Sequence, residues 1–201
     1  MYTNSWFDID KEGAAAEALI ANGAVIIGQH ADSTGAPAAT QKLKDSGKIC
    51  YSIGYNIDML ATAPTAALTS ATNVWEVYYE YLFKSMKDGE NPATNWSEGY
   101  NEGAVAITDL GPEVAEGTAE KVAEVEAALK DGSLHVFDTS KFTVKGETVT
   151  HAFALDTDGD FTPDADEAVF DGAFHESYFQ SAPYFTLQID GIEWLNSAYG
   201  N

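Results

Sequence analysis

The sequence predicts an α/β fold, a parallel sheet with flanking helices. Two observations carry this. Over the first 58 residues, apolar runs alternate with Ala- and Glu-rich helical segments in the order strand, helix, strand, helix, strand. Each apolar run also ends in a polar cluster: NSWFD at 4–8, QHADS at 29–33 and YNID at 55–58. Ligands of open α/β sheets bind beyond the carboxyl ends of the strands, so the three clusters are expected to line one edge of the sheet.

The elements follow in order. Residues 2–6 read as a short extended strand. Asp8 or Asp10 caps a helix over 9–22, and Gly23 stops it. AVIIGQH (24–30) is a continuous apolar run, expected of a strand covered on both faces. ADSTGAP is a turn into a second helix, 36–46, which ends at Gly47, and KICYSIGYNID (48–58) is the third strand. MLATAPTAALTSATN is consistent with a segment that crosses out of the sheet. A helix over 73–88 follows, apolar on more than one stripe and expected to be buried broadly. AVAITDLGP (104–112) reads as a short strand, and EVAEGTAEKVAEVEAALKDGS as an amphipathic helix ending at Gly132. Residues 134–201 read as irregular, with short β-like pieces.

The chain has 201 residues, 45% of them hydrophobic, enough for a domain with a real core. Asp and Glu number 32 against 10 Lys and Arg, a net charge of -22. So acidic a surface repels phosphate backbones and anionic headgroups, which argues against nucleic acid and bare membrane as partners. MYTNSWFD has neither a basic n-region nor an apolar h-region, and no run approaches the roughly 18 apolar residues of a membrane helix. The chain as written is therefore expected to be soluble, with no export address. Cys50 stands alone in an apolar run and reads as a buried small hydrophobe.

Catalytic and metal motifs are sparse. DTDGDFTPDADE (156–167) is dense in hard oxygen ligands, but its Gly is fourth rather than sixth and Pro163 interrupts it, so it reads as a solvated acidic loop. The histidines at 30, 135, 151 and 175 lack helical pair spacing, which leaves a zinc site without support. There is no nucleophile elbow, P-loop or dinucleotide fingerprint, and no cofactor is implied. Ser33 beside His30 and Asp32 is a sequence neighbourhood rather than a triad. Of the tryptophans, Trp75 is expected in the core, Trp96 against a loop, and Trp194 as a C-terminal anchor. Trp6 and Phe7 stand at a strand end, where an aromatic either packs or stacks on a planar ligand.

Taken together, NSWFD, GAVIIGQHADSTGAP, SIGYNIDM, APTAALTSATNVWEVYY and NWSEGYNEGAVAITDLGP resemble successive motifs of the BMP/PnrA-like basic membrane lipoprotein family, over roughly residues 2–135. These are substrate-binding proteins of ABC importers with a type I periplasmic-binding-protein fold. The resemblance implies capture of a purine nucleoside or nucleobase by hinged closure of two lobes, delivery to an ABC permease, and no enzymatic activity. It implies an extracytoplasmic protein held at the membrane only by a lipid anchor that this chain does not carry. Carried onto matching positions, Trp6 is the base-stacking residue with Phe7 as the alternative. His30, Asp32, Asn56 and Asp58 stand near the ligand, and Asn73 is brought towards the cleft. Nucleoside binders of the family carry an acid at the position of Asn56 and a Lys near Asn73. Their absence shifts weight towards a free purine base or another small heterocycle.

The resemblance also implies a partial fold that starts near the second strand of the second lobe. Residues 1–62 would be part of the C-terminal ligand-binding lobe. Residues 63–112 would be a crossing segment with a helix of the N-terminal lobe, and 113–201 an amphipathic helix with an irregular C-terminal region. Helix 73–88 would then lack its partner strands, and its open apolar face would favour association or partial disorder. The alternatives are a ligand-sensing module of the same fold and an α/β enzyme.

Overall fold

The computed structural model describes residues 1–94, 96–153, 166–176, 178 and 187–196. Two compact units are formed, one by the described residues of Met1–Trp75, Ala104–Val122 and Trp194–Asn201, the other by those of Glu76–Gly103 and Ala123–Glu193.

The first unit carries a four-stranded sheet and two helices. Helix α1 (Ile9–Ala21) starts at Asp8, whose Oδ1 accepts from Lys11 N at 3.0 Å. Asp8 N in turn donates to Glu12 Oε1 at 3.0 Å, so two orphan ends of the first turn are satisfied reciprocally. Lys11, through its backbone N–H first, holds the Asp8 carboxyl below the usual carboxylate range. Gly23, at φ +98°, ends the helix as predicted. Strand β1 (Ile26–Gly28) follows, then α2 (Gly35–Asp45) and β2 (Tyr51–Tyr55). A Cβ on Gly35 would collide with the Ile9 carbonyl, so glycine there sets how closely α1 and α2 approach. Ala16, Ile27 and Ala36 are buried between the helices and β1, with Leu19 and Ile20 packed on them.

Three predicted features of this unit differ. Residues 2–6 form no strand, with bends at 4–7, and β1 stands at the sheet edge. The run at 24–30 is not covered on both faces: Ile27 is buried, whereas Val25 and Ile26 are exposed. The segment expected to cross out of the sheet instead supplies β3 (Ala67–Asn73), parallel to β2 with Ile53 opposite Thr69. Its inward residues are small because the space is small. Ala67 lies against Gly111, and Ser70 against Gly54. Strand β4 (Val105–Ile107), predicted within 104–112, closes the order β1-β2-β3-β4 as the antiparallel member, with Val105 opposite Asn73. Cys50 is fully buried, donates to the Thr40 carbonyl at 3.5 Å, and has its thiol pushed up by burial. It is the small hydrophobe expected.

Helix α3 (Trp75–Asp88) falls almost wholly in the second unit. The predicted broad burial is absent: Trp75, Tyr79, Phe83 and Met86 are exposed, and Ser85 alone is buried. Trp75 is thus not a core residue. Tyr78 and Tyr81 are covered instead by Trp96, with ring centroids 5.1 and 6.2 Å apart. Helix α4 (Thr118–Lys130), of which Thr118–Val122 belong to the first unit and the remainder to the second, falls in the predicted helical segment, with Gly132 at φ +76° beyond it. The rest of the second unit buries Val149, Ala152, Ala168 and Phe174 beside the short pair β5 (Val169–Phe170) and β6 (Ala173–Phe174). Of the acidic stretch 156–167, only Asp166 and Glu167 are described. Glu167 accepts from Ala152 N and Val169 N and meets His151 Nδ1 at 2.9 Å, and these bonds hold its carboxyl low.

Candidate ligand-binding site

The three polar clusters meet. Asp32 N donates to the Trp6 carbonyl at 2.7 Å, which ties NSWFD to the QHADS turn. The His30 ring lies edge-on to Trp6 at 5.9 Å and to Tyr55 at 4.9 Å, so a row of three rings crosses the ends of the clusters. Asn56 Nδ2 donates to Asp32 Oδ1 at 2.8 Å, joining the second and third clusters. Asn56 also closes the sheet end: its N–H donates to Ala71 O at 2.8 Å, and Thr72 Oγ1 donates to its carbonyl at 2.7 Å. It does this at φ 68°, in the left-handed region, where a short amide side chain is favoured over bulkier residues.

Other predicted site residues stand apart. Phe7 is exposed and outside the ring row. Asp58 spends Oδ1 on the Leu60 N–H at 2.8 Å, a turn bond. Asn73 ends β3 opposite Val105. The Ser33 hydroxyl accepts from Gly35 N at 3.1 Å and so serves the start of α2.

A cavity of about 590 Å³ opens beside the rings, lined by Tyr2, Trp6, Glu12, Leu19, Gln29 and His30 among others. The segment that roofs it is held by Asn196, whose side chain exchanges two 2.7 Å bonds with the Tyr2 backbone, and by Trp194, stacked on Tyr2 at 5.3 Å. Trp194 is the anchor that the sequence suggested. Trp6 is 71% exposed and leaves a face open.

Sequence reasoning missed three residues here. Tyr55 is the third ring. Gln29 donates from Nε2 to Ala31 O and Ser33 O, both at 2.6 Å, which shapes the turn. Glu12 is only 3% exposed, on the inner side of α1. It stands one turn before Ala16, on the face that carries Leu19 and Ile20, which only the packing of α1 shows to be the covered one. Among the described residues, no group of three or more His, Cys, Asp or Glu is placed to hold a metal ion.

Trp6, His30 and Tyr55, with the Asp32–Asn56 pair, thus gather at the carboxyl ends of β1 and β2 in an α/β protein with a parallel-dominated sheet, the edge where such sheets hold ligands. Comparison with known proteins places it more narrowly. The family described as Bmp, ABC transporter substrate-binding protein PnrA-like, matches residues 1–135, and the chain belongs to it. A purine-binding protein of Brucella abortus is 36% identical over 137 residues, 68% of this chain and 37% of that protein. A putative ABC transporter glucose-binding protein of Haloferax volcanii is 30% identical over 141 residues, 70% of this chain and 35% of its own length. The chain thus spans about a third of the length of these relatives.

Among solved structures, an ABC transporter solute-binding protein from Aeropyrum pernix superposes with a TM-score of 0.56 at 16% identity, covering 75% of this chain and 47% of that one. A transcriptional activator of the comK gene from Bacillus halodurans superposes at 0.54 and 19% identity, covering 66% and 46%. These likenesses speak to the fold, which is that of ABC solute-binding proteins.

Proposed function

We propose that this chain is part of the solute-binding component of an ABC importer and takes a purine nucleobase or nucleoside. The carrying observation is the convergence of Trp6, His30 and Tyr55 with the bonded pair Asp32–Asn56, Trp6 and His30 also lining the cavity. An open indole face suits a planar base, and amide and carboxylate groups suit its polar edge. The purine-binding relative supports the same choice. In this reading Trp6 stacks on the ligand, with Phe7 as its alternative. His30, Asp32 and Asn56 border the ligand, and Asp58 and Asn73 lie in its outer surroundings.

The reading extends to the whole protein. Residues 1–62 form part of the C-terminal lobe, joined in the sheet by β3 and β4, and α3 belongs to the opposite lobe. A permease receives the ligand, the protein works outside the cytoplasm on a lipid anchor, and no chemistry is performed. Among the described residues, no helix is long and apolar enough to cross a membrane.

Isothermal titration with adenine, adenosine and hypoxanthine, with glucose as the contrast, tests the proposal. Saturable heat with a purine and none with glucose supports it. The reverse pattern contradicts it.

A further inference from the structure

Helix α3 has a covered side and an open side. Tyr78 and Tyr81 lie against Trp96, Tyr81 Oη accepts from Ala93 N at 2.6 Å, and Ser85 is buried. The open side carries Trp75, Tyr79, Phe83 and Met86, spaced at three and four residues and 49–64% exposed. The Tyr79 and Phe83 rings stack at 6.2 Å, which puts both on one face of the helix. A row of four large apolar side chains is a contiguous patch, unlike the scattered single hydrophobics of an ordinary free surface. Charge accompanies the row. Glu76, Glu80, Lys84 and Lys87 are all exposed and, at about 100° per residue, run along one flank of it. Among the described residues none of the four forms an ion pair, not even Glu80 with Lys84 one turn on.

Both patterns are self-complementary when the helix is turned end for end. About a two-fold axis level with Tyr81, Trp75 comes opposite Met86 and Tyr79 opposite Phe83. The same rotation sets Glu76 against Lys87 and Glu80 against Lys84, each within about 3 Å of level along the helix. Acids fill the first half of the flank and lysines the second, so each charge meets its opposite twice across the axis. In a chain of net charge -22 this flank is locally neutral and adds no repulsion between copies. We propose that the open face of α3 is a dimer interface, on which α3 of a second copy of this chain packs antiparallel. One helix pair is smaller than the about 1,600 Å² of a standard interface, so the dimer is weak, with a Kd of roughly 10 μM to 1 mM. Unfolding of the dilute chain therefore reads the monomer. The inference does not depend on the purine reading.

The test is sedimentation equilibrium of the 201-residue chain over a concentration series, at a salt concentration of about 0.15 M. A reversible monomer–dimer equilibrium is expected. Glu80→Lys makes the chain less negative, which by itself favours association. It also sets lysine against lysine at both symmetry-related pairs, and is expected to weaken the dimer about tenfold. Lys84→Glu weakens it likewise, and the two substitutions together restore it. Tyr79→Ser, at an exposed position, abolishes the dimer while its far-ultraviolet circular dichroism stays unchanged. A chain that stays monomeric up to about 1 mM overturns the inference. So does a dimer that survives Tyr79→Ser, that Glu80→Lys leaves unweakened, or that the paired substitution fails to restore, since each sets the contact elsewhere than on this face.

Discussion

Asn56 Nδ2 donates to Asp32 Oδ1 at 2.8 Å across 24 residues of sequence. This bond draws the ends of β1 and β2 together at the surface where Trp6, His30 and Tyr55 align. Asn56 holds it from the left-handed backbone region at φ 68°. Asn56→Ala therefore loses the bond and adds strain, and Asn56→Gly loses the bond alone. The Ala variant is expected to be about 1 kcal/mol less stable than the Gly variant in urea unfolding, with purine affinity lowered in both. Equal stability of the two would mean that the backbone at 56 relaxes.

Trp6 and Trp194 carry opposite burdens. Trp6 is exposed and edge-on to His30, and Trp194 stacks on Tyr2. Trp6→Ala is expected to weaken purine binding by about 1–3 kcal/mol, the measured range for base–aromatic stacking, with little change in melting temperature. Trp194→Ala is expected to lower the melting temperature more and affinity less. Equal losses of affinity at unchanged stability would remove the stacking role from Trp6.

Glycine and aromatic positions separate packing from exposure. At Gly35 a methyl group meets the Ile9 backbone, which cannot move aside as a side chain does. Gly35→Ala is expected to destabilise by about 1–3 kcal/mol. Phe83→Ala, on the open face of α3, is expected to stay within about 0.5 kcal/mol. Phe174→Ala, in the second unit's core, falls in the range of about 3–5 kcal/mol. Thermal or urea unfolding orders the three.

Charge sets the response to acid and salt. Asp138 accepts from the Ser140 hydroxyl and N–H and meets Lys141, and these bonds lower its pKa from 3.8 to about 2. A folded-state pKa below the unfolded value favours folding above pH 3.8 and loses that contribution as pH falls through about 2. Titration of the Asp138 carboxyl by nuclear magnetic resonance is expected to report that low midpoint, raised towards 3.8 in Ser140→Ala. At neutral pH the net charge of -22 repels itself, so added salt is expected to raise the melting temperature.

Much of the framework was legible. Helices α1, α2 and α4 follow from caps, Ala-rich periodicity and stop glycines, and QHADS and YNID meet at strand ends as expected, whereas NSWFD joins them without the strand that was to carry it. Local pattern did not report partners. Residues 2–6 were expected to be extended but form no strand, and β1 remains the edge of the sheet. Residues 67–73 looked like a connection because their inward side chains are small, and that smallness is what lets β3 pass Gly54 and Gly111. The stripe on α3 told of apolar surface without telling what covers it. Glu12 was hidden by its setting, since a charged residue in an amphipathic helix reads as solvent-facing until the burial of its face is known.

Purine capture at the joined strand ends is tested most directly by isothermal titration of adenine and adenosine into the chain and into Trp6→Ala, with glucose as the contrast. The account predicts saturable purine binding at one site, weakened about tenfold or more by Trp6→Ala, and no heat from glucose. Glucose binding without purine binding, or purine binding indifferent to Trp6, would contradict it.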